Sequence, residues 1–442
     1  MELPQAFVER MREQLREEAP AFFDSYQKPP FRGIRINPLK CTLENLKKSL
    51  PFSLFQTPFS PLSYYVPDDQ KIGSFPMYHA GAFYSQEPSA SSAVTALSPQ
   101  PGERILDLCA APGGKSTQIG ALLNGKGLLW SNEVVSSRVS ILLSNIERMG
   151  IRNAVISNCE PEHLCASLPE FFDRVLVDAP CSGEGMFRRD SRAIEEWSPE
   201  HVKSCAVRQL AILESAQKAL MPGGILVYST CTFSEEENEG VIEAFLKNHS
   251  EFELIDSGIS GGRPALAAKA RRIYPMDGGE GHFAAKLKKS GEKALESLFS
   301  EPKPIKVPDF VQKFWEDTFK IPMFGIPASV GDQFLLLPKV PLPILKGLNV
   351  RRAGILLGKE RKGRLEPEHA LFMTLAPQNL QRCLMLSHDS PELKAFLRGE
   401  QILASDKLSG YAAVAVDGVT TGFGKCSGGF LKNHYPKGLR VH

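Results

Sequence analysis

Two cysteines follow two apolar runs and could act on one ligand. Cys181 lies in Asp178-Ala179-Pro180-Cys181-Ser182-Gly183, after Arg174-Val175-Leu176-Val177. Cys231 lies in Ser229-Thr230-Cys231-Thr232, after Ile225-Leu226-Val227-Tyr228. In an open parallel sheet, ligands bind in the crevice beyond the carboxyl ends of the strands, so both thiols should face one site. The two positions are too far apart for a Cys-x-x-Cys redox pair, and no cysteine or histidine set has zinc-ligand spacing, so no metal is expected. A buried structural thiol is the plain alternative.

The ligand is suggested by Leu106-Asp107-Leu108-Cys109-Ala110-Ala111-Pro112-Gly113-Gly114-Lys115-Ser116-Thr117, which joins a strand to a helix. Glycines let the backbone approach a ligand closely. A P-loop would need glycine where Cys109 stands, and the Gly-x-Gly-x-x-Gly dinucleotide fingerprint is absent. A nucleoside without phosphates, such as S-adenosylmethionine, fits best. Glu133, twenty residues after Gly113, can accept hydrogen bonds from both ribose hydroxyls. Asp107 can face the methionine ammonium directly or through water.

A methyl donor beside two thiols suits carbon 5 of a pyrimidine. A thiolate adding to C6 makes C5 enamine-like and able to attack the sulfonium methyl. A base must then remove the C5 proton so that the thiol can leave. Asp178 is placed to meet the ring's N3 or exocyclic amine as charge develops. Chemistry alone does not order the two cysteines.

These groups need a doubly covered parallel sheet to hold them. Strands are expected at 104–108, 127–131, 153–157, 174–177 and 225–228, and helices near 116–123, 136–149, 200–220 and 235–248. That alternation predicts an α/β, Rossmann-like sheet. A late strand is expected at 281–287, an amphipathic helix over the first ten residues and a short strand around Gly33–Asn37. At 442 residues, two to four domains are expected. The boundaries read as an N-terminal α+β, RNA-recognition-like extension over 1–75, a catalytic domain over 76–290, a linker over 291–308, a small mixed domain over 309–380 and a β-rich module over 381–442.

Composition narrows the partners. No apolar stretch reaches bilayer length and the N-terminus lacks the form of a signal peptide, so a cytoplasmic protein with nine reduced cysteines and no membrane contact is expected. Residues 301–442 hold 20 Lys/Arg against 13 Asp/Glu, whereas the remainder holds 32 against 37. A basic C-terminal third suggests a polyanion contact, with ordinary surface lysines as the alternative.

The motifs resemble those of a known family. Cys109 to Lys115, Asp178-Ala179-Pro180-Cys181-Ser182-Gly183-Glu184-Gly185 and Ser229-Thr230-Cys231-Thr232 are similar, in order, to motifs of the NOL1/NOP2/Sun RNA cytosine-5 methyltransferases. The resemblance implies S-adenosylmethionine as cofactor, Cys231 as nucleophile, Cys181 as the residue that assists release, and Asp178 as the acid shared by cytosine and cofactor. It extends the cofactor set over Cys109, Ala110, Ala111, Pro112, Gly113, Gly114, Lys115, Glu133 and Arg138. The acid that the family places after the third strand is represented by Asn158 or Glu160. Arg35 and Asn37 resemble an N-terminal Arg-x-Asn segment, structural or near RNA. Tyr84 to Glu87 resembles the approach to the cofactor domain, and Pro275 to Phe283 the late strand.

Pro327 to Asp332, Arg352 to Gly358 and Lys432 to Arg440 resemble the tail of a bacterial small-subunit ribosomal RNA branch, which ends in a PUA-like RNA-binding module. Lys432, Tyr435, Lys437 and Arg440 are then expected to touch RNA by phosphate contact and stacking. The implied function is methylation of a flipped or single-stranded cytosine in small-subunit ribosomal RNA or its assembly intermediate, by a monomer. A transfer RNA enzyme, a non-catalytic RNA-binding assembly factor and a P-loop hydrolase are the competing readings.

Overall fold

The computed structural model describes residues 2–292 and 300–441. Of the linker expected over 291–308, residues 293–299 lie outside the described residues. The chain opens with helix α1 (Gln5–Leu15), whose Phe7, Met11 and Leu15 repeat every four residues and are buried. They pack with Phe22 of the helix Ala19–Ser25, with Tyr274, and with Phe187, Trp197 and Phe233 on the segments that follow the two strands leading to the cysteines. The expected strand forms at Gly33–Ile36, inside a small antiparallel sheet with Ser63–Tyr65 and Phe83–Ser85.

The central sheet follows the expected alternation. It contains β1 (Arg104–Asp107), then α2 (Gly114–Leu123), β2 (Leu128–Asn132), α3 (Ser136–Arg148), β3 (Ala154–Ser157), β4 (Phe172–Asp178), α4 (Pro199–Ala219), β5 (Leu220–Thr230), α5 (Glu239–Asn248) and β6 (His282–Lys289). Strands β5, β4, β1, β2 and β3 lie side by side and parallel, with β6 antiparallel on β5. Side chains alternate across the strands. Leu106, Trp130, Val155, Val175 and Tyr228 face a core shared with α4 and α5. Ile105, Leu129, Ile156, Leu176 and Val227 face a second core shared with α2 and α3. Both faces are therefore covered, as apolar parallel strands require. Strand order reverses between β1 and β4, which opens the crevice where such sheets bind ligands.

One edge strand has no counterpart among the expected ones. Val350–Ala353, here β7, pairs antiparallel with β3 and so brings the C-terminal third into the catalytic sheet. Around it, helix α6 (Asp309–Thr318) and a four-stranded sheet ending in the hairpin Ile355–Arg361/Arg364–Pro367 share one core with a five-stranded C-terminal sheet. Phe372, on the short helix His369–Met373 that follows the hairpin, stacks on Phe423 of the C-terminal sheet at 4.2 Å. The hydrophobic packing thus runs across the boundary expected at 380. No helix among the described residues is long and apolar enough to cross a membrane.

Candidate active site

Parallel pairing of β4 with β5 aligns Asp178 with Ser229, so the chain leaves both strands at the same edge. Three residues past Asp178 and two past Ser229, the Cys181 and Cys231 sulfurs stand 3.3 Å apart. Both are free, half-buried thiols. The hydrogen bond to Cys231, and then burial, push the Cys181 thiol up, so Cys181 keeps its proton, and either sulfur can donate across the contact.

Two buried carboxylates that are not evident as site residues in the sequence hold this pair in place. Glu237 accepts the Ser182 N–H at 2.9 Å, the Ser182 hydroxyl, and the Gln209 side chain of α4 at 2.8 Å. Gln209 also donates to the Pro180 carbonyl at 3.0 Å, and the Tyr228 hydroxyl to the Glu237 carbonyl at 2.5 Å. Burial raises the Glu237 carboxyl, and the Ser182 donors oppose the shift. Glu184 is wholly buried and accepts from Arg10 of α1 (2.7 Å), Trp197 Nε1 (2.8 Å) and the Phe233 N–H (2.9 Å). Gly185 donates its N–H to the Cys231 carbonyl at 2.8 Å. A Cβ there would stand 2.9 Å from the Gly281 carbonyl and 3.0 Å from that of Cys231, so glycine is required for the close approach. Glu184-Gly185 belongs to the Pro-Cys motif and carries that much signal. Glu237 is hidden in the acidic run Glu235-Glu236-Glu237, which resembles a solvated helix start.

Asp178 joins the thiols to the cofactor loop. It accepts from Lys115 Nζ at 2.7 Å and Ser229 Oγ at 2.8 Å, with His282 Nε2 3.8 Å away. Burial alone would raise its carboxyl, but Lys115 and then His282 hold it well below the usual carboxylate range. Asp178 is therefore an ionised acceptor. Asp107, at the end of β1, is the opposite case. It is fully buried, takes the Ser116 hydroxyl at 2.6 Å on one oxygen and has no partner for the other. Burial pushes it up to about 7, against the Ser116 hydrogen bond. A buried acid with an unpartnered oxygen beside a glycine loop fits the ammonium of an amino-acid cofactor.

The loop itself, Cys109 to Lys115, turns through Gly113 at φ 109° into α2. Burial raises the Cys109 thiol, which remains protonated. Glu133, at the end of β2, is 3% exposed and accepts the Val135 N–H at 2.8 Å and the Ala111 N–H at 3.3 Å. Arg138 stands 3.5 Å from it and donates to the Ala111 carbonyl at 2.6 Å. The carboxylate is thereby oriented with acceptor capacity left for a ribose diol. Asn158 spends its amide on the carbonyls of Glu133 (2.7 Å) and Val134 (2.9 Å) and so braces this edge. Glu160 is exposed at the start of the helix Pro161–Ser167.

The residues expected at RNA divide. Arg35 is fully buried and donates to Gln86 (3.0 Å), the Gly114 carbonyl (3.0 Å) and Thr117 (2.7 Å). Asn37, equally buried, donates to the carbonyls of Gly81 (2.9 Å) and Met149 (2.8 Å). Both tie the N-terminal sheet to the cofactor domain and leave RNA no surface. Tyr435 also points inward, against His369 and Phe396, because its ring fills the seam between the first and last modules. Arg440 lies half-buried beside the Tyr435 carbonyl, whereas Lys432 and Lys437 are exposed. Among the described residues, no cluster of His, Cys, Asp and Glu could hold a metal.

Comparisons with known proteins agree along the chain. Four family models match in succession: 16S rRNA methyltransferase RsmB/F over 94–288, the N-terminal domain of 16S rRNA methyltransferase RsmF over 3–88, the RsmF rRNA methyltransferase first C-terminal domain over 313–375, and the methyltransferase RsmF PUA domain over 384–441. Ribosomal RNA small subunit methyltransferase F of Vibrio vulnificus is 32% identical over 99% of this chain and 97% of its own. A solved methyltransferase homolog from Pyrococcus horikoshii is 33% identical, covers 65% of this chain and 95% of its own, and superposes with a TM-score of 0.58. NSun6 from the same organism, determined with SFG, is 25% identical over 65% of this chain and 99% of its own, also at 0.58. The chain belongs to the RsmF family of ribosomal RNA methyltransferases.

Proposed function

We propose that this enzyme methylates carbon 5 of a cytosine in 16S ribosomal RNA through a covalent Cys231–C6 adduct that Cys181 helps to release. The observation that carries the reading is the 3.3 Å thiol pair beside an ionised Asp178, inside the segment that matches the 16S rRNA methyltransferase RsmB/F model. S-adenosylmethionine, when bound, supplies an electrophilic methyl group. Asp107, Glu133 and the 109–115 loop would hold it, with Arg138 and Asn158 keeping Glu133 in place.

Cys231 first gives its proton to solvent. The Cys231 thiolate adds to C6 and makes C5 nucleophilic. The Asp178 carboxylate accepts from the exocyclic amine of the base, an interaction that favours cytosine over uracil, whose O4 is an acceptor. Cys181 then passes its proton to the leaving Cys231 sulfur as it takes the C5 proton and the C6–S bond breaks, so that both thiols are restored. The net release is one proton per methyl transferred.

The test uses denaturing gels of wild type, Cys181→Ala and Cys231→Ala after incubation with RNA and cofactor. Cys181→Ala should retain a protein–RNA adduct and Cys231→Ala should form none; the reverse pattern would exchange the two roles. Loss of one or more 5-methylcytosines from 16S RNA in cells lacking the protein would identify the target. A complete modification pattern would count against this substrate.

A further inference from the structure

The basic excess of the C-terminal third has to be placed somewhere other than the inward-facing tail tyrosine. A cleft of about 640 Å³ lies between α6, the hairpin Ile355–Arg361/Arg364–Pro367 and the strands Gly410–Val416 and Val419–Ser427. Lys313, Arg364, Arg382 and Lys425 line it, against Asp317 in the lining and Glu366, which lies close enough to Tyr411 to help burial raise its phenol. None of the four cations forms an ion pair among the described residues; Lys313, Arg364 and Lys425 are exposed. Arg382 is set in place by donating to the carbonyls of Tyr411 (3.1 Å) and Asp317 (2.6 Å).

Half-buried Tyr411 lines the same cleft. Its ring is supported by Phe314 at 5.7 Å and Phe423 at 6.1 Å, both edge-on or tilted. Over the ring lies the Lys425 ammonium, 5.5 Å from the centroid. A flexible lysine is a movable cover, so the ring is available to a flat ligand. Unneutralised cations around a supported aromatic are what a single strand requires: charge for the phosphates and a π-face for a base. A duplex does not fit, because its bases are stacked within the helix and cannot reach the ring.

We infer that this cleft seats a single-stranded segment of the RNA substrate, with phosphates against Lys313, Arg364 and Lys425 and one base against Tyr411. The inference rests on the ribosomal RNA reading. It places the RNA at the seam of the two C-terminal modules rather than on the tail 432–440.

The test uses the full-length protein and a 16S RNA fragment. Binding is measured against salt concentration for wild type, the triple variant Lys313→Gln/Arg364→Gln/Lys425→Gln, and Tyr411→Leu, which keeps apolar packing against Phe314. Cofactor affinity and thermal unfolding report on folding. The triple variant should bind RNA about 10- to 100-fold more weakly, and its slope of log K against log salt should be shallower by about 2, or about 0.7 for each phosphate no longer neutralised. Tyr411→Leu should weaken binding about 5- to 30-fold with the slope unchanged. If the triple variant does not fold, Lys313→Gln and Lys425→Gln singly should each flatten the slope by about 0.7. Unaltered RNA affinity and slope would overturn the proposal, whatever acidic protein the cleft then holds. A wild-type enzyme that fails to methylate the fragment would instead count against the substrate reading, and the two failures are distinguishable.

Discussion

The two ends of the site are held by different means. At the cysteine end, the struts come from neighbouring strand-end loops and from helices packed on them: Glu237 and Gln209 below the Pro-Cys loop, Glu184 and Arg10 beside the Thr-Cys loop. At the Glu133 end, proposed to take the ribose, Asn158 supports the Glu133 turn and is itself pinned from the C-terminal third. Its N–H donates to the Asn349 carbonyl at 3.1 Å, while Asn349 Nδ2 donates back to its carbonyl at 2.8 Å and Arg351 to its side chain at 3.2 Å. The thiols are therefore fixed by burial, whereas the Glu133 end is fixed by an exposed clasp. Disturbing the first should change chemistry or folding, and disturbing the second should change cofactor affinity.

The largest effect is expected at Asp178. Asp178→Asn keeps the side chain's size and removes the charge proposed to face the base. Single-turnover methylation at saturating cofactor should fall about 10²- to 10³-fold. A fall of less than threefold would show that the ionised carboxylate is not what the base meets.

Glu237→Gln tests the buried strut. An amide at that position turns an NH₂ toward the Ser182 and Gln209 donors, leaving buried donors unpaired. Stability should drop by about 2–3 kcal/mol in urea unfolding. Turnover of the folded fraction should also fall, as the Cys181 loop loses its anchor. If Glu237→Gln unfolds at the wild-type midpoint, the cysteine end is not held by burial as described.

The third comparison is electrostatic. Asp107 sits near pH 7 because it is buried, and its carboxyl is protonated below that value in the protein without ligand. A cationic ammonium needs the ionised form. Below pH 7, binding must therefore expel a proton, and S-adenosylmethionine affinity should fall about tenfold per pH unit from 6.5 toward 5.5. Above 7 the dependence on this group disappears. Asp107→Asn should bind weakly at every pH and lose the slope. A wild-type profile that is flat below pH 7 would remove Asp107 from the ammonium site.

The same contrast decides what is legible in the chain itself. Strand ends, the glycine loop, Glu133 and the cysteines can be read because each lies in a short apolar run with its own period and boundary. Glu237 cannot, since an acid in a run of three looks solvated until Ser182 and Gln209 are seen against it. Strand β7 has two arginines in four residues and no alternation, so only its pairing with β3 makes it a strand. Tyr435 beside lysines has the sequence signature of a stacking platform. Its burial depends on the N-terminal region more than 300 positions away, where His79, at the end of the helix Pro76–His79, lies 3.3 Å from its hydroxyl.

The smallest effect should come from the clasp, and the choice of variant matters. Asn349 has φ 44°, a left-handed conformation in which alanine would be strained. Asn349→Gly removes the carboxamide without that strain. It deletes the bond to the Asn158 carbonyl and leaves the backbone bond from the Asn158 N–H in place. One exposed hydrogen bond is worth about 0.5–1.5 kcal/mol, so cofactor affinity by calorimetry should weaken about 2- to 10-fold. Turnover at saturating cofactor should stay within about twofold of wild type, because no group at the cysteine end touches Asn349. Weakened turnover with unchanged affinity would invert the assignment, making β7 and its clasp part of the thiol scaffold instead of the Glu133 end.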